Sequence, residues 1–181
     1  MKIFLTADTF FSKPDALNLG NRLEHFVSVE QMDETLIENW NEVVTDDDIV
    51  YHLGNFCWDP MNGETILRRL NGRIKFYLGQ YDKTLIDIIP QFDGYHTIVK
   101  DQITYDPKNK SVFSHWPLLN WPNKSKGSIQ FHGNGIGMKP MNFEEEFRVN
   151  CSIDNWKFYP VEIVTILDIM KDVSEIKNVK K

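Results

Sequence analysis

The chain is poor in cysteine and has no long apolar run. Its two thiols, Cys57 and Cys151, lie far apart and outside any Cys-x-x-Cys array, so they read as small buried hydrophobes and not as a disulfide scaffold, a redox pair or a zinc cage. No stretch is apolar enough for a secretory leader or a membrane span, and a cytoplasmic protein is expected. Positive charge is also in deficit. Twenty Lys and Arg stand against 26 Asp and Glu, a net charge of −6, which argues against general affinity for nucleic-acid backbone or anionic membrane while leaving room for a local basic groove. No internal repeat, low-complexity tract or linker divides the sequence. What is present is 181 residues, 41% apolar and 25% charged, enough for one hydrophobic core, and a single domain over 1–181 is expected.

Hydrophobic patterning predicts strands over 2–7, 49–53 and 74–78. Between them lie a helix over about 30–44, opened by the capping-box form Ser28-Val29-Glu30-Gln31, and a short helix near 63–70. Right-handed crossovers place such strands in one parallel sheet, bringing Asp8, Asn55 and Gln80 to its carboxyl edge, the default site. A helix near 83–89 follows. Short alternating runs at 96–100, 102–105, 111–114, 128–131 and 147–151 then predict a second, mixed or antiparallel sheet. The tail predicts a helix over 161–176, with Ile163, Ile166, Leu167, Met170 and Val173 on its apolar face and a frayed basic end at Lys177–Lys181.

Five blocks in order carry a resemblance across nearly the whole chain. They are Thr6-Ala7-Asp8-Thr9-Phe10, His52-Leu53-Gly54-Asn55, Gly79-Gln80-Tyr81-Asp82, Ser114-His115-Trp116-Pro117 and Gly133-Asn134-Gly135-Ile136-Gly137. Together they resemble the calcineurin-like metallophosphoesterases of the short bacterial and phage type, whose corresponding blocks are Asp-x-His, Gly-Asp, Gly-Asn-His-Asp, Ser-His-x-Pro and Gly-His-x-His-Gly. The resemblance implies an α/β fold: a four-layer αββα sandwich of two mixed sheets flanked by helices. It also implies a two-metal centre for phosphoester hydrolysis, in which a shared carboxylate offsets the repulsion between two cations and a histidine assists the leaving oxygen.

Audited against that machine, Asp8 and His115 are kept and six positions change. Phe10 replaces a histidine ligand, and Asn55, a neutral amide, replaces the bridging carboxylate. Gln80 replaces an asparagine ligand and reaches one methylene further. Tyr81 stands at the catalytic histidine's position, and a phenol is badly matched to proton transfer at neutral pH. Asn134 and Ile136 replace both histidines of the last block. The resemblance therefore implies a pseudoenzyme that lacks the dinuclear centre, with no resident cofactor expected, and that acts by binding a phosphate-bearing small molecule or a protein partner. Two alternatives stand beside it. One is a weak phosphodiesterase with a single Mn²⁺, Ni²⁺ or Zn²⁺ ion held by Asp8, Gln80 and His115; the other is a structural subunit of an oligomer.

Each residue also has a plainer role. Asp8 after a strand suits an acceptor for loop amides, and His115 a hydrogen-bonded imidazole. His52 and His132 fall within strands, as core or sheet-surface histidines. Arg22 and Arg148 are the candidates for contact with an anion. Trp116, Trp121, Trp156 and Tyr159 serve packing or, alternatively, stacking on a nucleobase. The basic turn Lys124-Ser125-Lys126-Gly127 reads as a solvated loop tip more readily than as a phosphate clamp.

Overall fold

A computed structural model describes residues 1–137 and 147–179, and of 172–179 the backbone alone. Two mixed sheets face each other. The first has the order β4-β3-β2-β1-β9, formed by β1 (Ile3–Thr6), β2 (Ile49–His52), β3 (Arg73–Phe76), β4 (Thr97–Ile98) and β9 (Val161–Glu162). Its first four strands are parallel and β9 runs antiparallel to β1. The second has the order β5-β6-β7-β8, formed by β5 (Ile103–Asp106), β6 (Ser111–Ser114), β7 (Ile129–His132) and β8 (Arg148–Asn150), with only β5 antiparallel. The helices are α1 (Val29–Val43), α2 (Pro60–Leu67), α3 (Leu85–Ile88) and α4 (Ile163–Val179). The chain is thus an α/β sandwich of two mixed sheets flanked by helices.

Strand alternation builds this arrangement, because successive side chains point to opposite faces. Phe4, Val50, Ile74 and Phe76 enter a core shared with Leu36, Trp40 and Ile66 of α1 and α2. Leu5, Tyr51 and Tyr77 face the other way, toward Phe113, Phe131 and Val149 of the second sheet. Fully burying each such side chain is worth about 1.5–3 kcal/mol. Helix α1 starts where expected: Ser28 Oγ accepts from the Gln31 amide at 3.2 Å, and Gln31 Oε1 accepts from the Val27 amide at 2.8 Å.

Three expectations are corrected. Helix α2 begins three residues earlier than its apolar pattern, because Asp59 caps Met61 N at 3.1 Å and Pro60 supplies a preformed first turn. The run at 96–100 pairs with β3 and so extends the first sheet. Val161 and Glu162 form a strand against β1 before α4 starts, closing the open edge of that sheet. In α4, Ile163, Ile166 and Met170 join the core between the sheets, whereas the Val173 side chain and the basic end Lys177–Lys181 lie outside the described side chains.

Candidate functional site

The carboxyl ends of β1, β2, β3, β6 and β7 meet at one edge, and all five motif blocks arrive there. Backbone bonds tie the loops together: Asp8 N donates to Gly54 O at 2.9 Å and Phe10 N to Asn55 O at 3.0 Å. Four of the audited positions are held in the left-handed region without being glycine, namely Asp8 (φ 58°), Phe10 (φ 51°), Asn55 (φ 61°) and Asn134 (φ 47°). Such conformations cost on the order of 1 kcal/mol each and cluster at sites that must aim side chains inward.

Asp8 is fully buried, and N–H donors engage both of its oxygens. Asn55 Nδ2 donates to Oδ1 at 2.8 Å, Asn134 N to the same oxygen at 3.2 Å, and Gly135 N to Oδ2 at 3.1 Å. Burial pushes its carboxyl above the usual range, opposed by the Gly135 amide, the Asn55 side chain and the nearby His115. Asp82 is organised in the same way: it accepts from Asn55 N at 2.6 Å, Gly79 N at 2.7 Å and Phe56 N at 2.7 Å. Its carboxyl is also pushed up by burial. Asp82 clamps the Gly54–Phe56 loop to the Gly79 loop. Asp82 is the fourth residue of the Gly79-Gln80-Tyr81-Asp82 block, and its position there is the sequence signal for this role.

His115 lies against the same loops. Its Nδ1 donates to Leu53 O at 2.7 Å, the proton placed there because a carbonyl can only accept. Its Nε2 is buried with no partner, as is Asn55 Oδ1. Two glycines make room for them. A Cβ on Gly54 would lie 2.2 Å from His115 Nδ1, and a Cβ on Gly79 would lie 2.5 Å from Asn55 Oδ1 and 2.8 Å from His115 Cε1. Asn55 Oδ1 and the His115 ring therefore both border Gly79. On the first-sheet side, Thr9 Oγ1 donates to Phe56 O at 2.9 Å and accepts from His52 Nε2 at 3.0 Å. Burial lowers His52 to about 3, so this ring is neutral, a core histidine as expected.

Above this floor opens a cavity of about 280 Å³, its walls including Phe10, Lys13, Leu19, Gln80, Tyr81 and Ile136. Phe10 and Tyr81 meet edge to face at 5.6 Å. The Lys13 ammonium, which no sequence motif marked, lies 5.3 Å from the Trp58 ring centroid and 5.8 Å from that of Tyr81, and it pairs with Asp15. Apolar and aromatic groups thus stand where the resemblance calls for histidines.

The sequence-predicted site residues divide. The structure brings Asp8, Asn55, Gln80, Tyr81, His115, Asn134 and Ile136 to one edge, where Asp8 already accepts from three N–H donors. Among the described residues, no group of three or more His, Cys, Asp or Glu could hold a metal ion.

Arg22 is corrected from anion contact to anchor. It is fully buried, and all five of its N–H groups are committed: Nε and Nη2 to Asp154 at 2.8 and 2.7 Å, Nη2 to Asp8 O at 2.6 Å, and Nη1 to Thr9 O at 3.2 Å and Met32 Sδ at 3.6 Å. Arg148 is paired in register with Gln130 on β8 and is not part of the cavity wall. Trp121 packs as a buried ring, donating Nε1–H to Ser128 O at 3.1 Å.

No family model matches the chain. The uncharacterized protein MJ1445 of Methanocaldococcus jannaschii is 27% identical to it, over 98% of this chain and 96% of its own length. The crystal structure of a protein of unknown function, AQ665 from Aquifex aeolicus, superposes with a TM-score of 0.64 at 19% identity, covering 93% of this chain and 98% of its own. That likeness concerns the fold alone. No helix among the described residues is long and apolar enough to cross a membrane.

Proposed function

We propose that the chain is a divergent calcineurin-like phosphoesterase-type protein that has lost its dinuclear centre and works by binding, using the strand-end cleft to hold a small molecule or a segment of a protein partner. The observation that carries this reading is the state of Asp8. A carboxylate that ligates a cation offers it lone pairs, but here an amide side chain and two backbone N–H groups point at those lone pairs. Asn55 supplies one of these donors from the position where two cations would need a shared anion. The residues present do not fit a dinuclear group. The strained loops and the cavity remain, and Phe10, Tyr81 and Ile136 make it a contact surface.

A phosphate-bearing ligand would find one cation in the cavity wall, Lys13, already paired with Asp15. The cavity is better matched to an uncharged or weakly polar group seated against Phe10, Tyr81 and Ile136. A second reading, the single-ion phosphodiesterase, draws on the unpartnered His115 Nε2 and Asn55 Oδ1.

One experiment separates the two readings. The protein is purified with added Mn²⁺, its metal content is measured, and turnover of a nitrophenyl phosphodiester is assayed. The binding reading expects metal well below one ion per chain and no turnover. Near-stoichiometric metal together with turnover abolished in His115→Ala would overturn it.

A further inference from the structure

The opposite end of the second sheet holds a second pocket. Strands β5 and β6 form a hairpin, with Asp106 opposite Ser111 and the turn over 107–110. Beside it, residues 123–128 make a tight turn, in which Asn123 O accepts from Lys126 N at 2.8 Å and from Ser128 N at 3.2 Å. Lys110 O accepts from Ile129 N at 2.9 Å and joins the two turns. Between them lies a pocket of about 290 Å³ lined by Tyr105, Lys110, Asn123, Lys126 and Ser128. It sits at the amino ends of β6 and β7, whereas the strand-end cleft lies at their carboxyl ends.

The chemistry of this pocket is the reverse of the cleft's. It presents two ammonium groups, a phenol and a primary amide, and no carboxylate among its lining residues. Lys110 and Lys126 form no ion pair among the described residues, and the Tyr105 hydroxyl and the Asn123 amide make no side-chain hydrogen bond there. The neighbouring carboxylate, Asp106, is occupied by its own turn, accepting from Lys108 N and Asn109 Nδ2 at 2.9 Å each. The basic turn divides its two lysines. Lys124 folds over the Trp121 ring at 4.4 Å and donates to Leu119 O at 2.8 Å, while Lys126 borders the pocket. Ser128 Oγ donates to Pro122 O at 2.6 Å and holds the turn closed. In a chain of net charge −6, two lysines that border one pocket and form no ion pair among the described residues favour an oxyanion there, the group that ammonium donors recognise.

We propose that this pocket binds a phosphate group, with Lys110 and Lys126 as its charged contacts and Tyr105 and Asn123 as neutral donors. Its volume falls at the small end of ligand sites, which begin near about 300 Å³, and suits free phosphate or a small phosphomonoester. The proposal is independent of what occupies the strand-end cleft.

The test titrates the full chain with inorganic phosphate, followed by thermal shift and ³¹P line broadening, against sodium chloride at matched ionic strength. A parallel arm uses a short single-stranded oligonucleotide. The expected result is a saturable phosphate response that weakens as salt rises, falls about tenfold in Lys110→Met or Lys126→Met, and disappears in the double variant. Lys100→Met and Lys13→Met keep it. Melting of each variant without phosphate shows that the fold is intact. A response to the oligonucleotide that is lost in the same double variant assigns the phosphate to a nucleic-acid strand, and a response to phosphate alone assigns it to a small molecule. No response in either arm, a response that survives in the double variant, or one lost in Lys13→Met overturns the proposal.

Discussion

On one side of Asn55 the strand-end cleft is closed by the protein itself. The Asn55 Nδ2 group and two backbone amides satisfy Asp8, and Arg22 fastens the Asp8 and Thr9 carbonyls to Asp154. On the other side of the same residue the cleft is open in the hydrogen-bonding sense. Asn55 Oδ1 and His115 Nε2 are buried polar atoms without hydrogen-bond partners. A single amide has one face of each kind, so an asparagine here settles one half of the site with an N–H and leaves the other half with a lone pair and no charge to attract a cation. The open half retains two buried polar atoms that a partner could engage.

The strongest challenge to that contrast is Arg22→Met, which leaves Asp154 buried and unpaired and frees two carbonyls. The expected loss is about 3–5 kcal/mol in urea unfolding, and a loss under 1 kcal/mol would mean that the closed half is not held together as described. Next is Asn55→Asp, which sets a second carboxylate where the amide donates to Asp8 at 2.8 Å. A cost of about 3 kcal/mol is expected at pH 8. With two carboxylates in contact the folded pKa rises above the unfolded value, so the variant is least penalised at low pH and loses stability as pH rises through the folded value. A cost that does not change with pH would show that the two groups do not share one site.

The third test uses the neutral His52. Its folded value of about 3 lies below the ordinary 6.5, so the unfolded chain binds the proton first. The stability it contributes is complete above about pH 6.5 and is lost as pH falls toward 3. Replacing His52 by Gln should flatten the acid loss by up to about 1.4 kcal/mol per pH unit within that window. Asp33, pushed up to about 6 by burial, acts in the opposite sense, becoming easier to accommodate as pH falls below its folded value. An unchanged slope in His52→Gln would assign the acid loss to other groups. The smallest effect is expected at the open half. His115→Ala removes one hydrogen bond, to Leu53 O, and should cost about 1–2 kcal/mol, below the Arg22→Met loss.

The strands, the parallel first sheet, the start of α1 and the convergence of Asp8, Asn55 and Gln80 were legible because they follow from local periodicity and a fixed crossover hand. The placement of β4 and β9 was not, since two-residue strands carry no period and owe their pairing to an edge left free by the longer ones. The role of Arg22 was misread for a related reason. An arginine on a surface-like turn looks available until Asp154, 132 residues away, is folded against it. Lys13 carried no motif, and its placement among Phe10, Trp58 and Tyr81 depends on loops from three parts of the chain.

What the sequence determined by itself is chemical inventory: which side chains can donate, accept or ionise, and that Phe10, Asn55 and Ile136 cannot do the work of histidine or a bridging carboxylate. Which face of Asn55 meets Asp8, which lysine of the basic turn borders the second pocket, and which arginine is locked away were decided only by the tertiary structure. A side chain's capacity is covalent, but its partner depends on which distant backbone groups the fold brings within hydrogen-bond reach.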